Sequence, residues 1–313
     1  MKKNYVLITP AHNEEENIER VIKSVVSQTI APQKWIIVND GSTDGTDEII
    51  KQYEARHNFI TSLRLEHEDI ETYYGHRTRV VLTGYEKIKN PEFDFLGVLD
   101  ADISLEPTYY ECILAEFDRN PRLGVASGVF VNKVKGQVQK VVRDPDQINT
   151  PGSLQVFRRE CYEAIGGYSV LKYGGDDSLA GIMARMDGWE TKYFPQYQAV
   201  HHRTIGTSKG THILTAKYRG GLAEYILGTH PLFALAKSFR RVFLEEPFLL
   251  ASTARLAGFL SGYLVREKRE VPDTVVNFVR KEQIKRLLSW GVGSLKSLRN
   301  MLLLPLCWGK KKK

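Results

Sequence analysis

Only three cysteines occur in the 313 residues (Cys112, Cys161 and Cys307), far apart and without a CxxC pair. A disulfide framework or a zinc module is therefore not expected, and a reducing compartment fits. Long apolar runs are scarce as well. The mean hydropathy of −0.31 argues against a polytopic membrane protein. The opening run Tyr5-Val6-Leu7-Ile8 is too short for a signal-peptide core and leads into three glutamates, so no secretory signal is expected and the protein is predicted to stay in the cytoplasm. Neither GxGxxG nor GxxxxGK[ST] is present, nor GxSxG, which leaves dinucleotide-binding, P-loop and common hydrolase readings without support.

What is there is ample material for a core: 42% hydrophobic and 10% aromatic residues, with 26% charged. The charge is unevenly divided. Residues 1–205 carry 24 Lys+Arg against 30 Asp+Glu, and residues 206–313 carry 20 against 7, balances of −6 and +13 that give the net +7. An acidic body joined to a basic, leucine-rich third implies two regions with different tasks and an anionic partner for the second.

The first hundred residues alternate strand and helix patterns. Short apolar runs at Tyr5–Thr9, Trp35–Asn39, Phe59–Leu65 and Phe93–Asp100 predict strands, and helical spacing in between predicts helices beginning near Ile18, Thr46 and Arg77. Asn13 is the expected cap of the first helix, and Asp44 and Thr46 are expected to cap the second. The β-α-β-α-β order predicts an α/β fold with a mostly parallel sheet flanked by helices. Ligands gather at the carboxyl ends of strands in such sheets. Three of those ends carry Pro10-Ala11-His12-Asn13, Asp40-Gly41-Ser42 and Asp100-Ala101-Asp102.

The chemistry these loops permit is specific. Two carboxylates one residue apart, Asp100 and Asp102, can both reach a hard cation such as Mg²⁺ or Mn²⁺; an acidic turn is the plain alternative. Asp40 at its strand end is the better ligand candidate of its loop. Asp176 and Asp177, after Gly174-Gly175 and before a helical run, could compensate a helix dipole, or one could act as a general base. His201 and His202 follow another apolar segment and are candidate metal ligands.

Together these pieces resemble family 2 of the glycosyltransferases. The resemblance rests on Thr9-Pro10-Ala11-His12-Asn13-Glu14-Glu15-Glu16-Asn17-Ile18, on Trp35 through Thr46, on Leu99-Asp100-Ala101-Asp102, on Ile165-Gly166-Gly167-Tyr168 and on Gly175-Asp176-Asp177 with Arg185 and Gly188 downstream. It covers about residues 4–205. It implies a GT-A (Rossmann-like) fold, a donor half of about 1–105, an acceptor half of about 106–205, a nucleotide-sugar donor (UDP-sugar favoured), a divalent metal, Mn²⁺ or Mg²⁺, and inversion at the anomeric carbon. Thr9, Pro10, His12 and Glu14 would hold the nucleoside, Asp40 the base, Arg77 the donor phosphates, and Asp100-Ala101-Asp102 the ribose and metal, with His201 or His202 completing the metal shell. Asp177, or else Asp176, would be the base. The Asp-Asp pair departs from the family's Glu-Asp, and no QxxRW-type motif follows His202, so a single-sugar transferase is expected rather than a processive synthase. Dolichyl-phosphate mannose synthases share the first and third motifs and supply an alternative, with a polyprenyl phosphate as acceptor. A non-catalytic scaffold on the membrane is the alternative outside enzymes.

Residues 206–313 are expected to be helical, basic and amphipathic. Phe248–Val265 is apolar over 18 positions but holds Ser252, Thr253, Arg255 and Ser261, which makes it marginal as a membrane span. Ile284, Leu287, Leu288, Leu295, Leu298 and Leu302 fall on one helical face, Trp290 and Trp308 could sit at a lipid interface, and Lys310–Lys313 add four charges. The expected partner is an anionic membrane surface on its cytoplasmic side, where a lipid-linked saccharide acceptor would be met, with nucleic acid not expected. Packing on the catalytic body or on a second copy in an oligomer is the alternative.

Overall fold

The computed structural model describes residues 4–66, 73–89, 92–134, 137–139, 146–203, 212–242 and 247–302, the side chains of 73–74, 132–134, 137–139 and 291–302 excepted. The chain begins β1 (Tyr5–Ala11), α1 (Ile18–Val26), β2 (Lys34–Asp40), α2 (Thr46–Glu54), β3 (Ile60–Leu65), α3 (Tyr73–Glu86), β4 (Phe95–Val98). It continues β5 (Ile103–Leu105), α4 (Tyr109–Arg119), β6 (Leu123–Val134), β7 (Gln137–Gln139), β8 (Val156–Arg158), α5 (Arg159–Ala164), α6 (Asp176–Met186) and β9 (Glu190–His201). Four helices follow: α7 (Ile213–Ile226), α8 (Pro231–Arg241), α9 (Leu250–Leu264) and α10 (Asp273–Leu302).

The sheet order is β3-β2-β1-β4-β8-β6-β9-β5, with β7 on β6. The predicted parallel arrangement holds for β3, β2, β1 and β4, whose connections are helical crossovers. Beyond β4 the sheet is mixed: β8 runs antiparallel to both β4 and β6, β9 is parallel to β6, and β5 is antiparallel to β9. The difference is physical, because β8 follows a short 3-10 turn at Gly152–Leu154 rather than a crossover helix. Alternation along β1 divides the core. Tyr5 and Leu7 face α1 and α4, whereas Val6 and Ile8 face α3 and α6.

Asn13 does not cap α1. It sits at φ 52°, accepts from the Thr43 backbone N–H through Oδ1 at 2.8 Å, and so ties the first loop to the second. Asp44 does take up the start of α2, its Oδ1 accepting from the Thr46 N–H at 3.1 Å.

The C-terminal helices share a core with the sheet-bearing body. Leu171, Leu179 and Ile182 pack with Tyr225, Ile226, Phe259, Val275, Val276 and Val279. Arg185 on α6 meets Glu282 on α10 in a two-pronged ion pair of 2.7 and 2.9 Å. Arg286 pairs with Asp146, and Trp290 stacks on Phe233 and donates to Asp146 at 2.8 Å. Trp290, expected at a lipid interface, is thus spent on packing, because its indole N–H finds a carboxylate on the body. Of the expected α10 face, Ile284 and Leu287 are half-buried and Leu288 is exposed, while the side chains of Leu295, Leu298 and Leu302 lie outside the described residues, as do Trp308 and Lys310–Lys313. No helix among the described residues is long and apolar enough to cross a membrane, the Phe248–Val265 run included.

α7 and α9 cross at glycines. A Cβ on Gly221 would stand 1.9 Å from the Arg255 carbonyl oxygen, and one on Gly258 would stand 1.9 Å from that of Tyr218. Both contacts are to backbone, so the helices would have to separate. Gly221→Ala is therefore expected to lower stability by about 1–3 kcal/mol, read as a lower urea midpoint at unchanged slope. An unchanged midpoint would contradict this close crossing.

Candidate active site

The carboxyl ends of β1, β2 and β4 bring the predicted loops to one edge of the sheet. α3 lies over that edge and supplies two consecutive side chains. His76 donates from Nε2 to Asp40 Oδ2 at 2.7 Å, and Arg77 donates from Nε and Nη2 to Asp100 Oδ1 at 3.1 and 2.5 Å. Arg77 Nη1 also lies 3.5 Å from Asp176 Oδ2. One largely buried guanidinium thus bridges the Asp100 loop and the start of α6; burial works against its charge, but the Asp100 and Asp176 carboxylates outweigh it and hold the group charged, above its ordinary range.

Asp176 and Asp177 are adjacent but differently housed. Gly175, at φ 96°, turns the chain into α6 in a conformation that suits glycine. Asp176 is buried, and desolvation pushes its carboxyl above the usual range in spite of Arg77. Asp177 is half-exposed and fixed by two backbone donors, Gly152 N–H to Oδ2 at 2.9 Å and Ser178 N–H to Oδ1 at 2.7 Å. A side chain at residue 152 would strike the Asp177 Cβ at 2.7 Å, so the first contact depends on glycine there.

Across the site Asp102 is buried beside His201, Nε2 to Oδ2 at 3.2 Å, and Arg203 Nε lies 3.8 Å from the same oxygen. Burial works to raise the Asp102 carboxyl, but His201 and Arg203 outweigh it and hold it below the usual range. Its Oδ1 is buried with no hydrogen-bond partner among the described residues. Arg203 Nη2 donates to Glu14 Oε2 at 2.6 Å, where Asn17 Nδ2 also donates at 3.0 Å.

Several expected residues are thus brought together: His12, whose Nδ1 donates to the Asp40 carbonyl at 2.6 Å, with Glu14, Asp40, Arg77, Asp100, Asp102, Asp176, Asp177 and His201. Others are not. Thr9 is fully buried and its hydroxyl accepts the Trp35 indole N–H at 2.9 Å, so its side chain faces the core rather than a ligand. The Ala101 methyl is likewise in the core, and Pro10 is half-buried at the end of β1. His202 turns from Asp102 to hydrogen-bond Ser104 Oγ at 2.8 Å. Among the described residues no three His, Cys, Asp or Glu side chains converge on one point. His76 and Arg203 were missed from sequence; each adjoins a residue that was singled out, and adjacency is the only signal they offer.

Family resemblance can now be set against this geometry. The family model described as Glycosyl transferase family 2 matches residues 6–174, more than half of the chain. The chain belongs to family 2 of the glycosyltransferases. The poly-beta-1,6-N-acetyl-D-glucosamine synthase of Staphylococcus epidermidis is 30% identical over 202 residues, 59% of this chain and 46% of that one, and that of Staphylococcus aureus strain COL is 29% identical over 119 residues, 37% and 26% respectively. The chain therefore spans about half the length of the first of these relatives. Among solved structures, the mannosyltransferase PcManGT from Pyrobaculum calidifontis, in complex with GDP-Man and Mn²⁺, superposes with a TM-score of 0.54 at 17% identity, covering 98% of this chain and 82% of that one. S. aureus TarS 1–349 with UDP-GlcNAc gives 0.53 at 16% identity, covering 85% and 77%. The fold is that of the GT-A glycosyltransferases, and this family 2 chain is a glycosyltransferase.

Glu14 gives the site a pH signature. Burial pushes its carboxyl up from 4.5 to about 7, against the hydrogen bonds from Asn17 and Arg203. The folded state then holds the proton more tightly than the unfolded chain. Stability from this group is complete below about pH 4.5 and is lost as pH rises through about 7. Thermal midpoints of the metal-free protein and of Glu14→Gln, followed from pH 4.5 to 8, should diverge in favour of the variant as pH rises; parallel profiles would contradict the buried, protonated carboxyl.

Proposed function

We propose that this glycosyltransferase moves a single sugar, with inversion, from a UDP-sugar to a hydroxyl of a lipid-linked or polysaccharide acceptor at the cytoplasmic face of the membrane. The observation that carries the reading is the contrast at the start of α6. Asp176 is buried on Arg77, while Asp177 presents a half-exposed carboxylate aimed by two backbone N–H groups. In this reading Asp177 takes the proton of the acceptor hydroxyl as its oxygen bonds to the anomeric carbon. The bond from that carbon to the donor phosphate oxygen breaks on the opposite side, and the nucleoside diphosphate departs. A carboxylate so placed suits a hydroxyl acceptor better than a phosphate, which needs no base.

Asp40, with His12 and His76 beside it, would receive the nucleoside, and Arg77 would hold Asp100 in place near the diphosphate. Asp102 with its unpartnered Oδ1 and the adjacent His201 suit a hard divalent cation, Mn²⁺ or Mg²⁺, that takes its remaining ligands from the donor. When bound, the cation would offset charge growing on the leaving diphosphate. The UDP-sugar preference is supported by relatives named for polymers of N-acetylglucosamine and by the likeness to TarS with UDP-GlcNAc. The membrane setting is supported by the basic balance of residues 206–313.

Removing the base should cost about 10²–10⁴ in turnover. In an assay of UDP release from UDP-GlcNAc and other UDP-sugars, Asp177→Asn is expected to lose turnover on that scale while still binding nucleotide. Asp102→Ala is expected to lose both turnover and metal dependence. Wild-type turnover in either variant would contradict the roles assigned.

A further inference from the structure

The helix expected to lie on lipid is not the one that is free to do so. α10 spends Glu282, Arg286 and Trp290 on the catalytic body, whereas α8 and α9 turn apolar side chains outward. On α8 Leu232, Leu235 and Phe239 are 60, 55 and 73% exposed at spacings of three and four, one helical face. On α9 the exposed positions Leu250, Thr253, Ala257, Leu260 and Leu264 repeat the same spacing, with Leu264 at 83%. α8 and α9 pack against each other, and beside their junction the Leu249 N–H donates to the Val242 carbonyl at 3.3 Å. There Phe248, Leu249 and Leu250 are each more than half exposed, and Leu249 holds φ 61°, a conformation costly for a side chain of its size. A monomer in water gains nothing from three consecutive exposed apolar residues on a strained turn.

The charges around the stripes say what covers them. The described residues 231–242 and 247–266 contain Lys237, Arg240, Arg241, Arg255 and Arg266 and no acid. Lys237 and Arg255 reach inward to buried Glu224, at 3.0 and 3.3 Å, and so brace the two helices beneath the face. Arg240 and Arg241 close α8, and exposed Arg266 and Lys268 follow α9. Between the helices Glu245 and Glu246 lie outside the described residues; counting them, and Glu267 and Glu270 beside Lys268, residues 231–270 hold seven basic residues against four acidic ones. A second copy docked through the same patch would set like charge against like, since a two-fold interface pairs each surface with itself. An anionic lipid surface offers apolar depth and opposite charge together.

We infer that the exposed apolar faces of α8 and α9, entering at Phe239 and at Phe248-Leu249-Leu250, are the surface by which the protein docks on an anionic bilayer. This rests on the membrane-surface reading proposed above and moves its seat from α10 to α8 and α9. The test is co-sedimentation of the full chain with phosphatidylcholine vesicles with and without phosphatidylglycerol, alongside UDP release in solution and sedimentation velocity without lipid. Phe239→Glu with Leu264→Glu alters only exposed side chains, so folding is expected to be retained; Leu288→Glu, an exposed position on α10, is the comparison. The expected result is binding that needs phosphatidylglycerol, falls at least about tenfold in the double variant and is unchanged in Leu288→Glu, with UDP release alike in all three. Loss in Leu288→Glu alone would overturn the α8–α9 face and leave the membrane reading standing. A wild-type chain that binds no vesicle, or a dimer that the double variant splits, would overturn both, while UDP release reports on the catalytic reading separately.

Discussion

The buried guanidinium of Arg77 is the constraint on which the site depends. It joins a carboxylate after β4 to a carboxylate at the start of α6, two segments about 75 residues apart. A cation in that position keeps two acids close that would otherwise repel, and without it buried Asp176 would lose the one charge that works against its desolvation. Asp176 is engaged by this ion pair, whereas Asp177 is held by the backbone N–H groups of Gly152 and Ser178, so two adjacent acids are housed differently.

A second guanidinium does similar work on the other side. Arg203 lies between Glu14 after β1 and Asp102 after β4, so the N-terminal loop, the acidic loop and the end of β9 close on one another. The helical region completes the frame. Arg185 is on the same helix as Asp176 and Asp177, and its paired bonds to Glu282 couple the placement of that helix to α10. The basic third is thus a support for the site as well as a candidate surface.

Much of the fold was legible because it is local. The helix and strand patterns from Tyr5 to Val98 fall within a few residues of the observed bounds, since apolar periodicity reports burial directly. The mixed half of the sheet was not legible, because strand direction beyond β4 is decided by pairings between β8, β6 and β9 that no local pattern encodes. The acidic loops were found through motif, and the structure gathers them. Thr9 shows the limit of motif, since its hydroxyl is claimed by Trp35 from the next strand. His76 and Arg203 show the converse: single polar residues with no spacing to mark them, made functional candidates by what they touch. Trp290 misled for the same reason. An indole on an amphipathic helix suits lipid, and only a partner at Asp146 reveals that it is used inside the molecule.

The central claim is that the loops carrying Asp102 and Asp40 together receive a nucleoside diphosphate with its cation. Thermal unfolding with UDP, recorded with Mn²⁺ and again with EDTA, tests it most directly, because a ligand at 100 times its Kd adds about 2.7 kcal/mol to the native state. The account predicts a raised midpoint with UDP and Mn²⁺ together and little with either alone. An equal shift in EDTA, or none under any condition, would contradict it.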